Sequence, residues 1–213
     1  MTTTSTPRRT TPSDGSLEGR RILVTLGVIY LGLFVVLIGT SSDRSPNDDP
    51  TKLITDYKTG DTTIEVITYA TVVAGIVLVF YGAALRSALV ARTRRWTADA
   101  ALLGFAVMAL SVVGFAVTGL ALHHAVDIGN PQVVQAINIL DTTNFPLAML
   151  GMSCAMIGVG LTARGETTMP TWLCWASIVL GVMAPLGPLG FAPFVLFPVW
   201  VVVVAAFVRL SDS

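Results

Sequence analysis

The segment Ile22 to Thr40, ILVTLGVIYLGLFVVLIGT, decides the fold class of this chain. It contains no charged residue, and its roughly nineteen residues, at about 1.5 Å of helical rise each, cross a hydrocarbon core of about 30 Å. Arg20 and Arg21 stand directly before it, after a tail rich in Thr, Ser, Pro and Gly that has no apolar run. We therefore predict a disordered cytoplasmic tail over 1–21 and an uncleaved first transmembrane helix over 22–40.

The composition extends this interpretation to the whole chain. Hydrophobic residues make up 53% of the 213 residues and charged residues only 12%, with a mean hydropathy of +0.74. Such a chain is too apolar for a soluble domain of this size. Thirteen basic and thirteen acidic residues balance, so net charge gives no attraction to nucleic acid. We predict an all-α, multi-pass membrane protein whose surrounding partner is the lipid bilayer, without a nucleic-acid partner.

Five further apolar segments follow the first, and between 22–40 and the next one the residues 41–63 are polar and turn-rich. We predict six transmembrane helices in one domain over 22–210, with spans at about 22–40, 64–85, 98–122, 145–163, 172–184 and 191–208. Glycines recur in the spans and allow close helix packing, which indicates a compact bundle. The turn between the last two spans is rich in proline: Pro185, Pro188, Pro193 and, further on, Pro198. It predicts a tight turn and a kink, or alternatively a broken helix that lines a substrate site.

The basic residues are distributed unevenly between the two sides of this topology. With the amino terminus inside, ten basic residues are cytoplasmic: Arg8, Arg9, Arg20, Arg21, Arg86, Arg92, Arg94, Arg95, Arg164 and Arg209. Only Arg44, Lys52 and Lys58 are then outside. Cytoplasmic loops hold the excess of Lys and Arg in membrane proteins. We therefore predict that both termini are cytoplasmic, in a bacterial cytoplasmic membrane.

The spans also argue against several functions. No charged residue lies near the middle of a predicted span, whereas proton-coupled transporters, ion pumps and voltage sensors normally retain one there. The two histidines are adjacent, so they cannot ligate a haem from two different helices. Cys154 and Cys174 differ in predicted depth by roughly 8 to 10 Å, more than the Cα separation that a disulfide accepts, and we expect both to be reduced.

Titratable and amide side chains gather in one stretch, His123 to Pro146, HHAVDIGNPQVVQAINILDTTNFP, which the topology places outside. The candidate ligands of a Zn²⁺ or similar ion on that side are His123, His124, Asp127, Asp141 and Glu65. The alternatives are a solvated helix end, which adjacent and diverging histidines favour, or a pH-responsive or ligand-contacting site.

Within this stretch, Gly129-Asn130-Pro131 indicates that one helix stops and another begins, with Asn130 as the N-cap. The apolar face of the new helix would hold Val133, Val134, Ile137 and Leu140. The polar face would hold Gln132, Gln135, Asn138 and Thr142. We predict a short outer amphipathic helix, which either lies in the membrane interface or continues into the fourth span through a kink at Pro146.

The carboxyl-terminal half, VVQAINILDTTNFPLAMLGMSCAMIGVGLTARGETTMPTWLCWASIVLGVMAPL, resembles an uncharacterised family of actinobacterial multi-pass membrane proteins, a domain of unknown function. In that family a long helix, a small basic connector, a Pro-x-Trp-Leu entry and a Gly-containing helix recur in this order. The matching residues here are Arg164, Pro170, Trp172, Leu173 and Gly181. The resemblance covers about residues 100 to 210 and implies a topology, without an activity.

Two hypotheses of function follow from these patterns. The first is a non-enzymatic accessory, sensory or small-solute-handling bundle with its ligand-facing surface outside, alone, as a homo-oligomer or with a membrane-protein partner, and without a cofactor. The second is a membrane-embedded metalloenzyme, in which His123, His124, Asp127 and Asp141 would bind zinc.

Overall fold

The computed structural model of the chain describes residues 14–40, 49–58, 61–89, 95–166 and 168–208, and all regular structure among these residues is helical. The α-helices are α1 (Asp14–Thr40), α2 (Pro50–Lys58), α3 (Asp61–Leu89), α4 (Arg95–Ile128), α5 (Pro131–Thr143), α6 (Phe145–Glu166), α7 (Thr171–Met183) and α8 (Phe191–Phe207). A short 3-10 helix, Gly187–Gly190, precedes α8. Two elements depart from the predicted boundaries. Helix α1 begins inside the predicted tail, and α2 lies in the segment predicted to be rich in turns.

Five segments of the described chain are long and apolar enough to cross a membrane. They are Glu18–Gly39, Val66–Leu89, Arg95–Ile128, Pro131–Gly165 and Gly187–Phe207. Helix α7, predicted as the fifth span, has 13 residues and measures about 20 Å, less than the thickness of a hydrocarbon core. The described chain is thus an all-helical protein with several membrane-spanning segments.

Helix α4 is the centre of the bundle and packs against α3 on one side and α6 on the other. Glycines allow the closest approach: a Cβ atom on Gly104 would lie 2.2 Å from the backbone nitrogen of Ala155, and one on Gly151 would lie 2.4 Å from that of Met108. Helix α1 packs against α3 and α8, and α7 packs against α6. The compact bundle predicted from the small residues is confirmed.

Six helix termini meet at one end of the bundle: the starts of α1, α4 and α7 and the ends of α3, α6 and α8. The contacts that bring them together are Arg86 Nε to Asp99 Oδ1 (2.6 Å), Arg20 Nη2 to Ala206 O (2.5 Å), Thr162 Oγ1 to Thr97 Oγ1 (2.7 Å), Trp172 to Phe207 (5.9 Å between ring centroids) and Arg164 over the ring of Trp175 (4.4 Å). We call this the basic end. Three of its contacts use arginines that the sequence analysis placed on one side of the membrane.

A second, smaller apolar core lies at the opposite end of the bundle. Helix α4 has 34 residues and measures about 51 Å, so it extends well past a hydrocarbon core of about 30 Å. Its last turns, α5 and α2 enclose a separate apolar core of Leu53, Leu122, Ala125, Val126 and Val134. We call α2, residues 119–128 of α4, and α5 the cap. The third span was predicted to end at Leu122, but the apolar residues that follow bury themselves in the cap and prolong the helix.

Helices α7 and α8 form an antiparallel helical hairpin. A hydrogen bond from Trp200 Nε1 to Ser177 Oγ (2.8 Å) joins the two helices. The turn contains Gly187 at φ +59°, a left-handed conformation that favours glycine, and the 3-10 helix follows. The tight turn predicted from the prolines is confirmed, and Pro198 lies inside α8. Cys154 and Cys174 are both free, as predicted.

Candidate functional site

The junction between α4 and α5 has the local structure that its sequence predicts. Gly129 ends α4 with φ +71°, a conformation that costs glycine little. Asn130 is the N-cap of α5, since its side-chain oxygen accepts a hydrogen bond of 3.0 Å from the backbone N–H of Gln132. Pro131 occupies the first turn, where no N–H donor is needed. This turn reverses the chain and brings α5 back along α4.

The two histidines lie in different environments. His123 is buried in the cap with 9% of its surface exposed, whereas His124 and Asp127 are exposed. The histidine ring centroids are 5.8 Å apart. A solvated helix end therefore describes His124 and Asp127 but not His123, which is buried.

Asp141 lies away from the histidines, at the other end of α5, where it is half-buried and accepts a hydrogen bond from Thr118 Oγ1 of α4. The side chain of Glu65 lies outside the described residues. In the described ranges no three His, Cys, Asp or Glu side chains are grouped so that they could hold a metal ion. The structure gives no support to the metalloenzyme alternative.

The buried face of α5 differs from the predicted one. Val134 and Asn138 are fully buried against α4, whereas Leu140 and Val133, predicted on the buried apolar face, are 59% and 39% exposed. The prediction applied the rule for water-soluble helices, in which apolar side chains face inward. Near the membrane the surroundings are apolar, so polar side chains turn toward the neighbouring helix instead. The assignment of Asn138 to an outward polar face is wrong for this reason.

Helix α5 continues into α6 through the single residue Asn144, and the two belong to one segment long enough to cross a membrane, Pro131–Gly165. Pro146 was predicted as the kink, but the turn comes two residues earlier, at Asn144. Proline has no N–H with which to continue the α-helical hydrogen bonding of the preceding turn. The break before it turns the Asn144 side chain toward α4.

A row of polar side chains fills the contact between α4 and the α5–α6 junction. Asn144 Nδ2 donates to Ser111 O (2.8 Å), and Ser111 Oγ donates to Asn144 O (3.3 Å). Thr118 Oγ1 lies within hydrogen-bonding distance of Gly114 O (3.0 Å) and of Asp141. We call Ser111, Thr118, Asp141 and Asn144 the polar seam.

Sequence analysis singled out only Asp141 among the residues of the polar seam. A signal was present, because Ser111 and Thr118 are seven residues apart and Asp141 and Asn144 three, so each pair lies on one helical face. Ser111 and Thr118 are single polar residues in an apolar segment, whereas Asp141 and Asn144 belong to the polar run DTTN. The antiparallel pairing of α4 with α5 and α6 was needed to bring the two faces together.

A groove of about 470 Å³ lies beside the polar seam, between α4 and the α5–α6 junction. Its apolar walls are Leu110, Val113, Val117, Leu140 and Leu147. Its polar floor is Gly114, Thr118, Thr143 and Asn144. Three of the wall residues are largely exposed, Leu110 at 64%, Val117 at 61% and Leu140 at 59%, so the groove opens on the outside of the bundle.

No family model, characterised protein or solved structure matches this chain. The resemblance to a family of actinobacterial membrane proteins therefore stays a prediction.

Proposed function

We propose that this chain is a non-enzymatic protein of the bacterial cytoplasmic membrane, in which six membrane helices carry an outer cap that acts as a sensory or accessory element. One observation carries the proposal: α4 and the α5–α6 pair run between the basic end of the bundle and the cap, where the last turns of α4 and the first turns of α5 share an apolar core with α2. A ligand or partner protein that contacts the cap therefore contacts the same helices that form the centre of the bundle.

The proposed orientation has the cap outside and both termini in the cytoplasm. Arg20, Arg86 and Arg164 make their contacts at the basic end, and Lys52 lies on α2 in the cap. Such an asymmetry favours the basic end as the cytoplasmic one. Arg8, Arg9, Arg92, Arg94 and Arg209, which contribute to the same asymmetry in the sequence, lie outside the described residues.

The count of six helices in the membrane includes the short α7. It is paired with α8, which is long and apolar enough to cross, and its start lies beside the end of α8 at the basic end. The start of α7 and the end of α8 therefore lie on the same side of the membrane. This holds whether or not the turn between the two helices reaches the opposite membrane surface. This arrangement keeps the two termini of the bundle together.

Of the roles expected from the sequence, the geometry favours a sensory or accessory role over solute handling. The contact between α4 and α6 is tight along its length, with a Cβ atom on Gly158 only 2.7 Å from the nitrogen of Ala101 near the basic end. Close-packed helices transmit a displacement because their contacts are not continuously deformable. A change in the cap should reach the basic end through this pair.

Hydrogen–deuterium exchange of the purified chain in a bilayer tests this coupling. Val134→Asp places a charge in the core of the cap and should increase exchange both in the cap and at the start of α4 and the end of α6. Val133→Asp is the matched control, because Val133 is next to Val134 on α5 and is 39% exposed, so it tolerates the same change. If Val134→Asp increases exchange in the cap alone, the cap is not coupled to the bundle and the proposal fails.

A further inference from the structure

The groove beside the polar seam lies at membrane depth, in the half of the bilayer nearest the cap. Counted from the Arg86–Asp99 ion pair at the basic end, Leu110 and Thr118 lie about 16 and 28 Å along α4, within a hydrocarbon core of about 30 Å. Because the groove opens outward through exposed leucine and valine side chains, a lipid can enter it directly from the bilayer.

The size of the groove fits one hydrocarbon chain. A volume of about 470 Å³ is many times that of one water molecule, so the groove has room for a chain of several carbon atoms. The groove follows α4 from Leu110 to Thr118, a length of about 12 Å. The groove is elongated along α4 and its lining is mostly apolar, which suits a chain better than a compact polar solute.

The floor of the groove supplies a specific hydrogen-bonding pattern. Ser111 O can only accept, so the nitrogen of the Asn144 amide faces it and the opposite atom is Oδ1. Among the described residues the Asn144 amide makes one side-chain hydrogen bond, from Nδ2 to Ser111 O, so Oδ1 can still accept and the amide nitrogen keeps a second hydrogen. The hydroxyl hydrogens of Thr118 and Thr143 are already directed at protein oxygens, including Leu140 O at 3.0 Å from Thr143 Oγ1.

These features define the polar group of the ligand. A hydroxyl can donate to Asn144 Oδ1 and accept from the amide in return, whereas an ester or an ether can only accept. No basic side chain lines the groove, and the carboxylate of Asp141 lies on the adjoining seam, so a phosphate or carboxylate headgroup would be unfavourable there. An uncharged ligand is the better match.

We infer that the groove between α4 and the α5–α6 junction binds a neutral long-chain alcohol from the bilayer, with its chain along Leu110, Val117 and Leu147 and its hydroxyl on the Asn144 amide. The site lies in the membrane and does not depend on the sensory role proposed for the cap. It would give the bundle a preference for one chemical class of lipid over the surrounding phospholipids.

The test uses the full chain in bilayers of zwitterionic phospholipid and a photoreactive fatty alcohol whose chain carries a diazirine and an alkyne. The matched probe is its methyl ether, which has the same chain but no donor. The alcohol should label peptides containing residues 110–118 or 140–147 about fivefold more than the ether, as one hydrogen bond in an apolar site implies. Equal labelling by the two probes would show ordinary chain contact and overturn the inference.

Variants separate the groove from the rest of the lipid-facing surface. Val117→Trp fills the groove and should reduce labelling by the alcohol at least about tenfold. Leu103→Trp is the control, because Leu103 is on the same helix, is 65% exposed and does not line the groove. Equal labelling of the two variants would contradict the site. Asn144→Ala should abolish the preference for alcohol over ether while chain labelling persists.

A second protein chain could also occupy the groove, and a cysteine at the exposed position Thr143 detects it. In native membranes this cysteine should form no oxidative cross-link to another chain. A cross-linked protein partner at high yield would show that the groove is a protein interface, and the lipid inference would then be wrong.

Discussion

At the scale of single residues, the closest contacts of the bundle depend on glycines in α4 and α6. A Cβ atom on Gly104 would lie within 3 Å of three backbone atoms of α6, and backbone cannot move aside as a flexible side chain can. Gly32 of α1 is also helical but has nothing within 4 Å of the same position. Gly104 is thus needed for close helix packing, whereas Gly32 contributes only the low helix propensity of glycine. Comparing substitutions at the two positions distinguishes these two effects.

Gly104→Ala should destabilise the protein by about 2 kcal/mol or more, since overpacking forces α4 and α6 apart. Gly32→Ala should be neutral or stabilising by up to about 1 kcal/mol, because alanine favours helix and no neighbour is displaced. Thermal unfolding in detergent, followed by circular dichroism, measures both. Equal midpoints for the two variants would show that the α4–α6 approach is looser than described.

The two adjacent histidines give a second prediction at this scale. His123→Ala removes a side chain buried in the cap and should cost about 1 to 3 kcal/mol, whereas His124→Ala at an exposed site should cost less than about 0.5 kcal/mol. Thermal unfolding with and without a chelator measures the difference and its cause. If chelation reproduces the loss seen in His123→Ala, a bound metal is responsible rather than packing.

The sequence correctly predicts that α4 ends at Gly129 and that α5 begins with Asn130 as N-cap and Pro131 in its first turn. Helix caps depend on residues that are adjacent in the chain, so they can be read from sequence. It could not predict that His123 is buried, because burial depends on contacts with other parts of the chain. Adjacent histidines looked alike in sequence, and only the tertiary contacts of the cap distinguish them.

At the scale of elements, the presence of each apolar helix was easier to predict than its length or the face that it buries. The apolar runs of α1, α3, α4, α6, α7 and α8 were all recognised, since length and hydropathy are properties of a single segment. Helix α2 was missed because it is short and polar, and it buries mainly Leu53. The buried face of α5 was predicted only in part: Val134 is buried as expected, but Asn138 is buried and Leu140 exposed. The pattern does not reveal whether water or lipid surrounds a helix.

The α7–α8 hairpin gives a prediction about depth. Its turn carries exposed apolar residues, Leu186 at 51%, Leu189 at 55% and Phe191 at 65%, and the ring of Phe194 beyond it packs on Phe145 at 5.1 Å. A helix of about 20 Å cannot cross a core of about 30 Å unless the bilayer thins or the turn stays submerged. We expect the turn to remain within the apolar layer.

A cysteine at Leu189 should therefore react with an impermeant maleimide at least about tenfold more slowly than one at Ile128, which is 75% exposed at the end of α4. Both are measured in a background where Cys154 and Cys174 are replaced by alanine, and a membrane-permeant maleimide should label both sites. Equally fast reaction with the impermeant reagent would place the turn in water and give α7 a complete crossing.

At the scale of the whole molecule, the two ends of the bundle differ in charge and in structure. One end gathers arginines and six helix termini, and the other extends α4 and α5 into a cap with its own apolar core. The sequence predicted that basic residues gather at one end, because the distribution of charge among the loops can be read without knowing how the helices pack. The cap itself was beyond the sequence, since it needs the antiparallel return of α5 along α4.

The orientation is the prediction that tests the whole arrangement. A cysteine at Ile128 in the cap should react with an impermeant maleimide in intact cells, whereas one at Trp96, which is 70% exposed near the basic end, should react only after the cells are opened. Both sites are on α4 and similarly exposed, so a difference in labelling reports the side of the membrane rather than accessibility along the helix. Since α4 is a single helix, the two sites must lie on opposite sides if it crosses. Labelling of Trp96→Cys alone would place the cap and its buried His123 in the cytoplasm, and the sensory surface would then have to read an intracellular ligand.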